Sequence, residues 1–453
     1  MMPSDLGLPS PSVALGVIRN AGKFQGLGIA ALSRFAQSDL ADQLKLRKPV
    51  EKILYRGSKA GFQLAGAAAR AFAPGKNSAG KQRLPGSPSN GLFDLSLSDE
   101  QLMMRESLQR FASEALRPAA HDADHQVAFP AELRAQALEL GLAYYAVPAA
   151  LGGIASESAI VTQMLAAEDL GHGDFSLASA LLAPIGVANA LTRWGSAEQQ
   201  ARYLPAFAGE QPPVAAIAVN EAVVLFNPKQ LATKAKRTSD GYVLNGEKSL
   251  VIAGASAELL LIAAELDGKP QIFIVAGGSP GLSFKEDEAM GLKAAETVKI
   301  RLDNVHVDDA ALLGDGDFDY QEFLDLGYLA WCAVATGTAQ AVLDYVVPYV
   351  NEREAFGEPI SHRQGVAFIV ADMAIEVDAM RIMTWRAAAL AEAGKPFHRE
   401  AYLARLLCAE KAMQIGTNGV QLLGGHGFTK EHPVERWYRD LRAVAIQHGG
   451  LHL

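Results

Sequence analysis

The spacing of apolar positions changes twice along the chain. From Ser98 they recur every three or four residues: Met104, Leu108, Phe111 and Ala115 share one face of a helix. Ser98 and Gln101 form its capping box, and Pro118 is expected to close it. Helical spacing continues over Glu157–Leu170 and Ala197–Leu204, to about residue 210. From Val214 the period shortens to two. Tyr242–Ile252 reads as two strands around an Asn245-Gly246 turn. Leu259–Ala264, Ile272–Ala276 and Val298–Val307 are further strands, the last alternating as Val298, Ile300, Leu302. After Asp319 the helical period returns over Phe323–Val350, Gln364–Ala393 and Glu400–Leu423. Helices, then strands, then helices is a segregated α+β order, not the alternation of a doubly wound sheet.

The first 91 residues follow another pattern. Residues 1–73 are rich in Ala, Gly and Leu, with charge every few positions, and read as a basic helical extension. Its longest apolar stretch, Ile53–Phe72, is broken by Arg56, Lys59 and Arg70, so the extension holds no spanning helix. Nor does it read as a secretory signal, because Asp5 comes early and no compact apolar core follows a basic start. Residues 74–91 are dense in Pro, Gly, Ser and Asn and read as a linker. The expected boundaries are therefore 1–73, 74–91, an α-domain over 92–212, a β-domain over 213–318 and a helical domain over 319–453.

Charge sharpens this division. The chain has 453 residues and a net charge of −9, but residues 1–85 carry 13 basic and 4 acidic side chains. The extension stands at +9 and the remainder at −18. An acidic body argues against nucleic acid as a partner. The basic extension suits an anionic membrane surface, or an arm packed on its own body or a sister subunit. Two cysteines, Cys332 and Cys408, exclude a disulfide framework and suit a reducing compartment. The expected location is cytoplasmic, and peripheral to a membrane if the membrane reading of residues 1–73 holds.

Standard catalytic motifs are absent: there is no GxxxxGK[ST], GxSxG or HExxH. Asp315–Asp319 lacks calcium-loop spacing. His121 with His125, and His448 with His452, are spaced i,i+4 but lack a third ligand and a firm helix, so no metal is expected. His362, His398, His426 and His432 read as surface or hydrogen-bonded residues. Two helix ends stand out. Arg353-Glu-Ala-Phe356-Gly357 offers a cation, an aromatic and a glycine, and Gln421–Phe428 places Gly424, Gly425 and Gly427 after a helix. An arginine pairs with a diphosphate, and glycines let backbone amides approach one. Either feature alone equally fits helix capping.

Taken together, these segments resemble the acyl-CoA dehydrogenase family. The likeness runs from about Leu95 to Gly449 through Val147–Gly153, Arg193–Pro205, Gly241–Lys248, Arg353–Gly357, Gln421–Phe428 and Pro433–Arg436 leading to Arg439-Asp440. It implies an N-terminal α-helical domain, a middle β-barrel and a C-terminal four-helix bundle. It also implies FAD as cofactor and an acyl-CoA substrate oxidised between Cα and Cβ. A glutamate takes the α-proton and flavin N5 the hydride. Arg353 would meet the FAD pyrophosphate, Phe356 would lie against the cofactor, and Gln364 would contact its nucleotide half. Gln421, Gly424 and Gly425 would cradle the ADP portion, largely across a subunit interface. A homodimer or tetramer follows, or a hetero-oligomer with another such subunit, with an electron-transfer flavoprotein as acceptor.

The chain departs from that pattern around the flavin ring. The family's Gly-Ser-Asp turn falls on Leu225, Phe226 and Asn227 within Val223-Val-Leu-Phe226, and its Trp-Ile-Thr becomes Leu250-Val251-Ile252. Gln447-His448-Gly449 stands where the base glutamate is commonest, and the alternative base position is Gly327. Three readings follow. In the first the chain is an active dehydrogenase with His448 or a displaced carboxylate as base. In the second it is a catalytically degenerate subunit that completes a partner's FAD site in a hetero-oligomer, or dimerises with itself and does no oxidation. In the third it is a scaffold served by its basic extension. Selective change on the flavin-ring side, with the nucleotide side kept, favours the second over the third and weighs against the first.

Overall fold

The computed structural model describes residues 96–154, 159–314 and 318–451. The basic extension and the linker lie outside the described residues, as do Glu157, Asp315 and His452.

Helix α1 (Asp99–Phe111) begins on the expected capping box: Gln101 N donates to Ser98 Oγ at 3.1 Å, and Ser98 N to Gln101 Oε1 at 3.0 Å. Pro118 does not end it. A π turn over Ala112–Leu116 widens the ladder just before Pro118 and absorbs its missing N–H, so α2 (Arg117–Gln126) continues through it. Left-handed Val127 closes the segment instead, and His121 and His125 both stand exposed on α2. Next come α3 (Ala131–Glu139), α4 (Ile160–Gly173), α5 (Phe175–Trp194) and α6 (Ala197–Phe207). Helix α4 is largely buried, so its acids are paired: Arg105 grips Asp169 with two 2.8 Å bonds, and Arg381 and Trp385 donate to Glu168 at 2.7 and 2.9 Å.

Seven strands form one sheet: β1 (Ala215–Ala218), β2 (Lys234–Arg237), β3 (Tyr242–Val251), β4 (Leu259–Leu266), β5 (Lys269–Ala276), β6 (Leu282–Glu286) and β7 (Val298–Val307). Asn245-Gly246 is not the expected hairpin turn but lies inside β3, at a register shift against β7. Gly246 has φ 152°, and a Cβ there would meet Thr233 Cα at 2.6 Å, so the pair marks a bulge with close backbone approach. The two-residue turn of this domain is Asp267-Gly268, both at positive φ, joining β4 to β5. Strand β4 is apolar on both faces because it feeds two cores. Leu259, Leu261 and Ala263 pack toward α5 and the start of the C-terminal helices, while Leu260, Ile262 and Ala264 pack within the sheet.

The C-terminal domain comprises α7 (Tyr320–Glu352), a short hairpin of β8 (Glu354–Ala355) and β9 (Glu358–Pro359), α8 (Gln364–Glu392), α9 (His398–Leu423), α10 (Val434–Leu441) and α11 (Ala443–Ile446). By length and hydropathy α5 and α7 are each long and apolar enough to cross a membrane, but their apolar stretches are mostly buried here as core helices. Helix α10 fastens the three domains together. Asp440 accepts from Ser176 Oγ at 2.8 Å and Leu292 N at 2.7 Å. Arg436 donates to Asp174 at 2.9 Å, and Arg439 holds Asp124 with two bonds while donating to Met290 O. The Arg439-Asp440 motif is thus a structural rivet, with the buried Asp440 raised to about 7 by desolvation and by Asp174.

Candidate active site

Helices α4, α5 and α7 enclose, with the sheet, a cavity of about 550 Å³. Small residues on α5 (Ser179, Ala183, Gly186, Ala190) leave the room, and Ile160, Met164, Leu182 and Ile217 make its walls apolar. Leu250 and Ile252 line it too, so the strand end that departs from the family pattern presents aliphatic surface. Asn189 and Gln163 exchange amide bonds at 2.8 and 2.9 Å in the wall. Arg193 pairs with Glu322 at the cavity, and no carboxylate lines it among the described residues.

Both positions that the resemblance named for the base meet in this cavity. His448 and Gly327 line it together, and a Cβ on residue 327 would fall 2.4 Å from His448 Nδ1. The imidazole therefore occupies the space that a side chain at 327 would take. It sits among Phe323, Tyr328 and Trp331, with ring centroids 6.3–6.5 Å away. Its Nδ1 is buried with no hydrogen-bond partner among the described residues.

Among the described residues no side-chain hydrogen bond orients the ring; ring packing and a fixed backbone do. His448 adopts φ 59°, and its neighbours are clamped from the C-terminal and middle domains. Arg405 donates to Gln447 O at 2.9 Å and to Gly449 O, and Tyr328 Oη to His448 O at 3.1 Å. Gly450 N donates to Phe226 O at 2.9 Å, Gln447 Nε2 to Leu250 O at 3.2 Å, and Asn220 Nδ2 to Ile446 O at 3.2 Å. Arg405 also stacks on the Tyr328 ring at 3.9 Å. Sequence reasoning missed Arg405. The signal was there: one charge in the stripe Ala401, Ala404, Cys408, Ala409, Ala412 that α9 buries.

Burial, with Arg405 nearby, pushes His448 down to about 3. An unfolded histidine takes a proton near its ordinary 6.5 while the folded one stays neutral, so this group makes the protein lose stability as pH falls from about 6.5 toward 3. His448→Gln should remove that contribution. Thermal melts between pH 7 and 4.5 should show a steeper loss in the wild type than in the variant. The opposing trend of Asp440 is common to both proteins.

The nucleotide candidates lie elsewhere. Arg353 caps α7, roughly 39 Å of helix from Gly327 at 1.5 Å per residue. Tyr349 Oη donates to Leu423 O at 3.3 Å, which brings the ends of α7 and α9 together. Arg353, Phe356, Gln364, Gln421, Gly424 and Gly425 are all exposed there. Arg353 has no side-chain partner among the described residues, and a Cβ on Gly424 or Gly425 would meet nothing within 4 Å. Phe356, in the left-handed β8–β9 turn, is 97% exposed, and Phe428 88%. A free cation, open glycine backbone and bare aromatics fit the nucleotide half of FAD. Near the flavin-ring positions, Val223, Val224 and Leu225 are exposed and Phe226 is buried.

The chain matches the family models for the acyl-CoA dehydrogenase N-terminal domain over residues 98–211, the middle domain over 216–305 and the C-terminal domain over 315–450. It is 33% identical to the acryloyl-CoA reductase (NADH) of Anaerotignum propionicum, across 79% of this chain and 93% of that one. It is 32% identical to the cyclohex-1-ene-1-carbonyl-CoA dehydrogenase of Geobacter metallireducens, across 78% and 95%. Among solved structures, butyryl-CoA dehydrogenase from Megasphaera elsdenii superposes with a TM-score of 0.72 at 28% identity, covering 79% of this chain and 97% of that one. The FAD complex of PigA gives 0.72 at 25% identity, covering 79% and 96%.

Proposed function

The chain belongs to the FAD-dependent acyl-CoA dehydrogenase family, and from that premise we propose that it oxidises an acyl-CoA thioester between Cα and Cβ, with His448 as the proton acceptor. One observation carries this reading: an unpartnered imidazole, rigidly held, occupies the space shared by both family base positions in an apolar cavity. The aliphatic wall takes the acyl chain, and Nε2 or Nδ1 of the neutral ring accepts the α-proton. Negative charge gained by the thioester opposes the burial that disfavours the imidazolium. FAD, when bound, supplies the acceptor for the hydride leaving Cβ. Arg353, Gln364, Gln421, Gly424 and Gly425 would hold its nucleotide half, and Phe356 would cover it. Because these groups sit at the far end of α7 from the cavity, they serve a neighbouring subunit, and the active unit is a homodimer or tetramer. An electron-transfer flavoprotein is the expected acceptor.

A second reading rests on one observation. Burial makes a carboxylate a stronger base but an imidazole a weaker one, and His448 is pushed down to about 3. In that reading the chain is a non-catalytic subunit or scaffold whose exposed nucleotide patch completes the FAD site of another dehydrogenase subunit. The two part on one experiment. Purified chain that is yellow, and bleaches anaerobically on adding a fatty acyl-CoA, supports oxidation. Colourless chain that acquires flavin only with a second dehydrogenase subunit supports the partner role. We also place the chain in the cytoplasm, with residues 1–73 touching membrane. Sedimentation with anionic liposomes should fall on deleting residues 1–90, and unchanged partitioning ends that idea.

A further inference from the structure

The loop beyond α9 holds a second cluster of chemistry, remote from the cavity. His426 lies in the 3₁₀ turn Gly424–Phe428, and Glu431 and His432 follow in the link to α10. One ligand atom from each of the three lies within 4.8 Å of those from the other two. We infer that His426, Glu431 and His432 bind one zinc-type divalent ion, with the remaining position left to water.

The ligand chemistry suits that ion: two imidazoles and a carboxylate are a common three-protein-ligand zinc set. His432 is also oriented as such ligands are. Its Nδ1 lies 2.7 Å from Tyr345 Oη, which leaves Nε2 as the free ring nitrogen for a ligand bond and fixes the ring from behind. Tyr345, Tyr349 and His426 each meet the His432 ring edge-on at 5.9 Å, which limits its rotation. On the other side, Thr429 fastens the turn through its N and Oγ1, both donating to His426 O, at 3.2 and 2.9 Å. His426 Nδ1 already lies 3.7 Å from Glu431 Oε2.

Energetics favour closure. Zinc bonds of about 2 Å bring tetrahedral ligand atoms to about 3.3 Å from one another, so the side chains move inward by an ångström or so. His426 and Glu431 are exposed, so swinging them in disturbs little beyond the edge-on contact of His426 with His432. The cluster also follows the C-terminal end of the 26-residue helix α9, where the helix dipole favours a cation. Because His426 stands between Gly425 and Gly427, the ion would sit beside the nucleotide patch and not in the catalytic cavity.

The test uses the full chain, stripped with a chelator and titrated with Co²⁺ and then Zn²⁺. The expected result is one equivalent of tetrahedral Co²⁺ absorbance, displaced by Zn²⁺. Calorimetric Zn²⁺ affinity should fall roughly tenfold or more in His426→Ala and in His432→Ala, and less in Tyr345→Phe. Glu431→Gln, at an exposed position, should weaken binding while leaving the melting temperature of the stripped protein unchanged. His121 and His125 on α2 are the competing pair. A site lost in His121→Ala but kept in His432→Ala overturns the assignment, as does the absence of stoichiometric binding in the wild type.

Discussion

Gly327→Ala should reduce acyl-CoA oxidation by roughly 100-fold or more, because displacing a catalytic group by an ångström costs on that order. The added methyl would stand 2.4 Å from His448 Nδ1 and 2.5 Å from Cε1. The imidazole can yield only by pressing into Phe323, Tyr328 and Trp331, which surround it, because Arg405 and Tyr328 fix its backbone. Overpacking of this kind costs about 1–3 kcal/mol in stability. A double-mutant cycle separates the two effects. His448→Ala in the Gly327→Ala background should restore the lost stability, because the clash is gone, but not turnover. Full activity in Gly327→Ala would mean that the imidazole does not occupy this space.

Lys248→Met should be the most destabilising single change near the site, by about 3–5 kcal/mol in chemical denaturation. Lys248 on β3 is fully buried, with Nζ 2.9 Å from Glu221 Oε1 and donating to Val219 O at 3.2 Å. Glu221 in turn accepts from Ala232 N at 2.7 Å and Thr233 N at 2.9 Å, closing the loop that carries Val223–Leu225. Burial pushes Lys248 down to about 8, against the pull of Glu221. Burial also acts to raise Glu221, but Lys248 and the Thr233 bonds outweigh it and hold the carboxyl below its ordinary value. Removing the ammonium leaves a buried carboxylate without its counter-charge. Adding Glu221→Gln to Lys248→Met should recover much of the loss. A single-variant loss below about 1 kcal/mol would show that the pair is not sealed from water.

Much of this architecture is written in local pattern. Val298–Val307 has the bounds read from its alternation, and the helix from Gln364 starts where its period does, because one face of each is buried and period reports that face. Asn245-Gly246 misled because the same dipeptide serves a hairpin turn or a bulge. The choice between them rests on Thr233, distant in sequence and pressed against Gly246. Pro118 misled because a π turn one step earlier absorbs the missing hydrogen bond. For the site, position alone brought forward His448 and Gly327. That they exclude one another's side chains is a fact of packing between the C-terminal segment and α7, which no local pattern holds. Arg353, Gly424 and Gly425, proposed for the nucleotide, stood out in the sequence as a cation and glycines after helices, and the structure adds that they are exposed. The rivet made by Arg436, Arg439 and Asp440 was visible only as a motif, with its three-domain reach hidden.

The central claim is that His448 takes the α-proton, and solvent exchange reads that step without depending on the electron acceptor. Incubated in D₂O with a saturated acyl-CoA, the wild-type chain should incorporate deuterium at Cα, by mass spectrometry of the recovered thioester, and His448→Gln should not. Equal incorporation by both proteins, or none by a wild-type chain shown to bind the thioester, would contradict it.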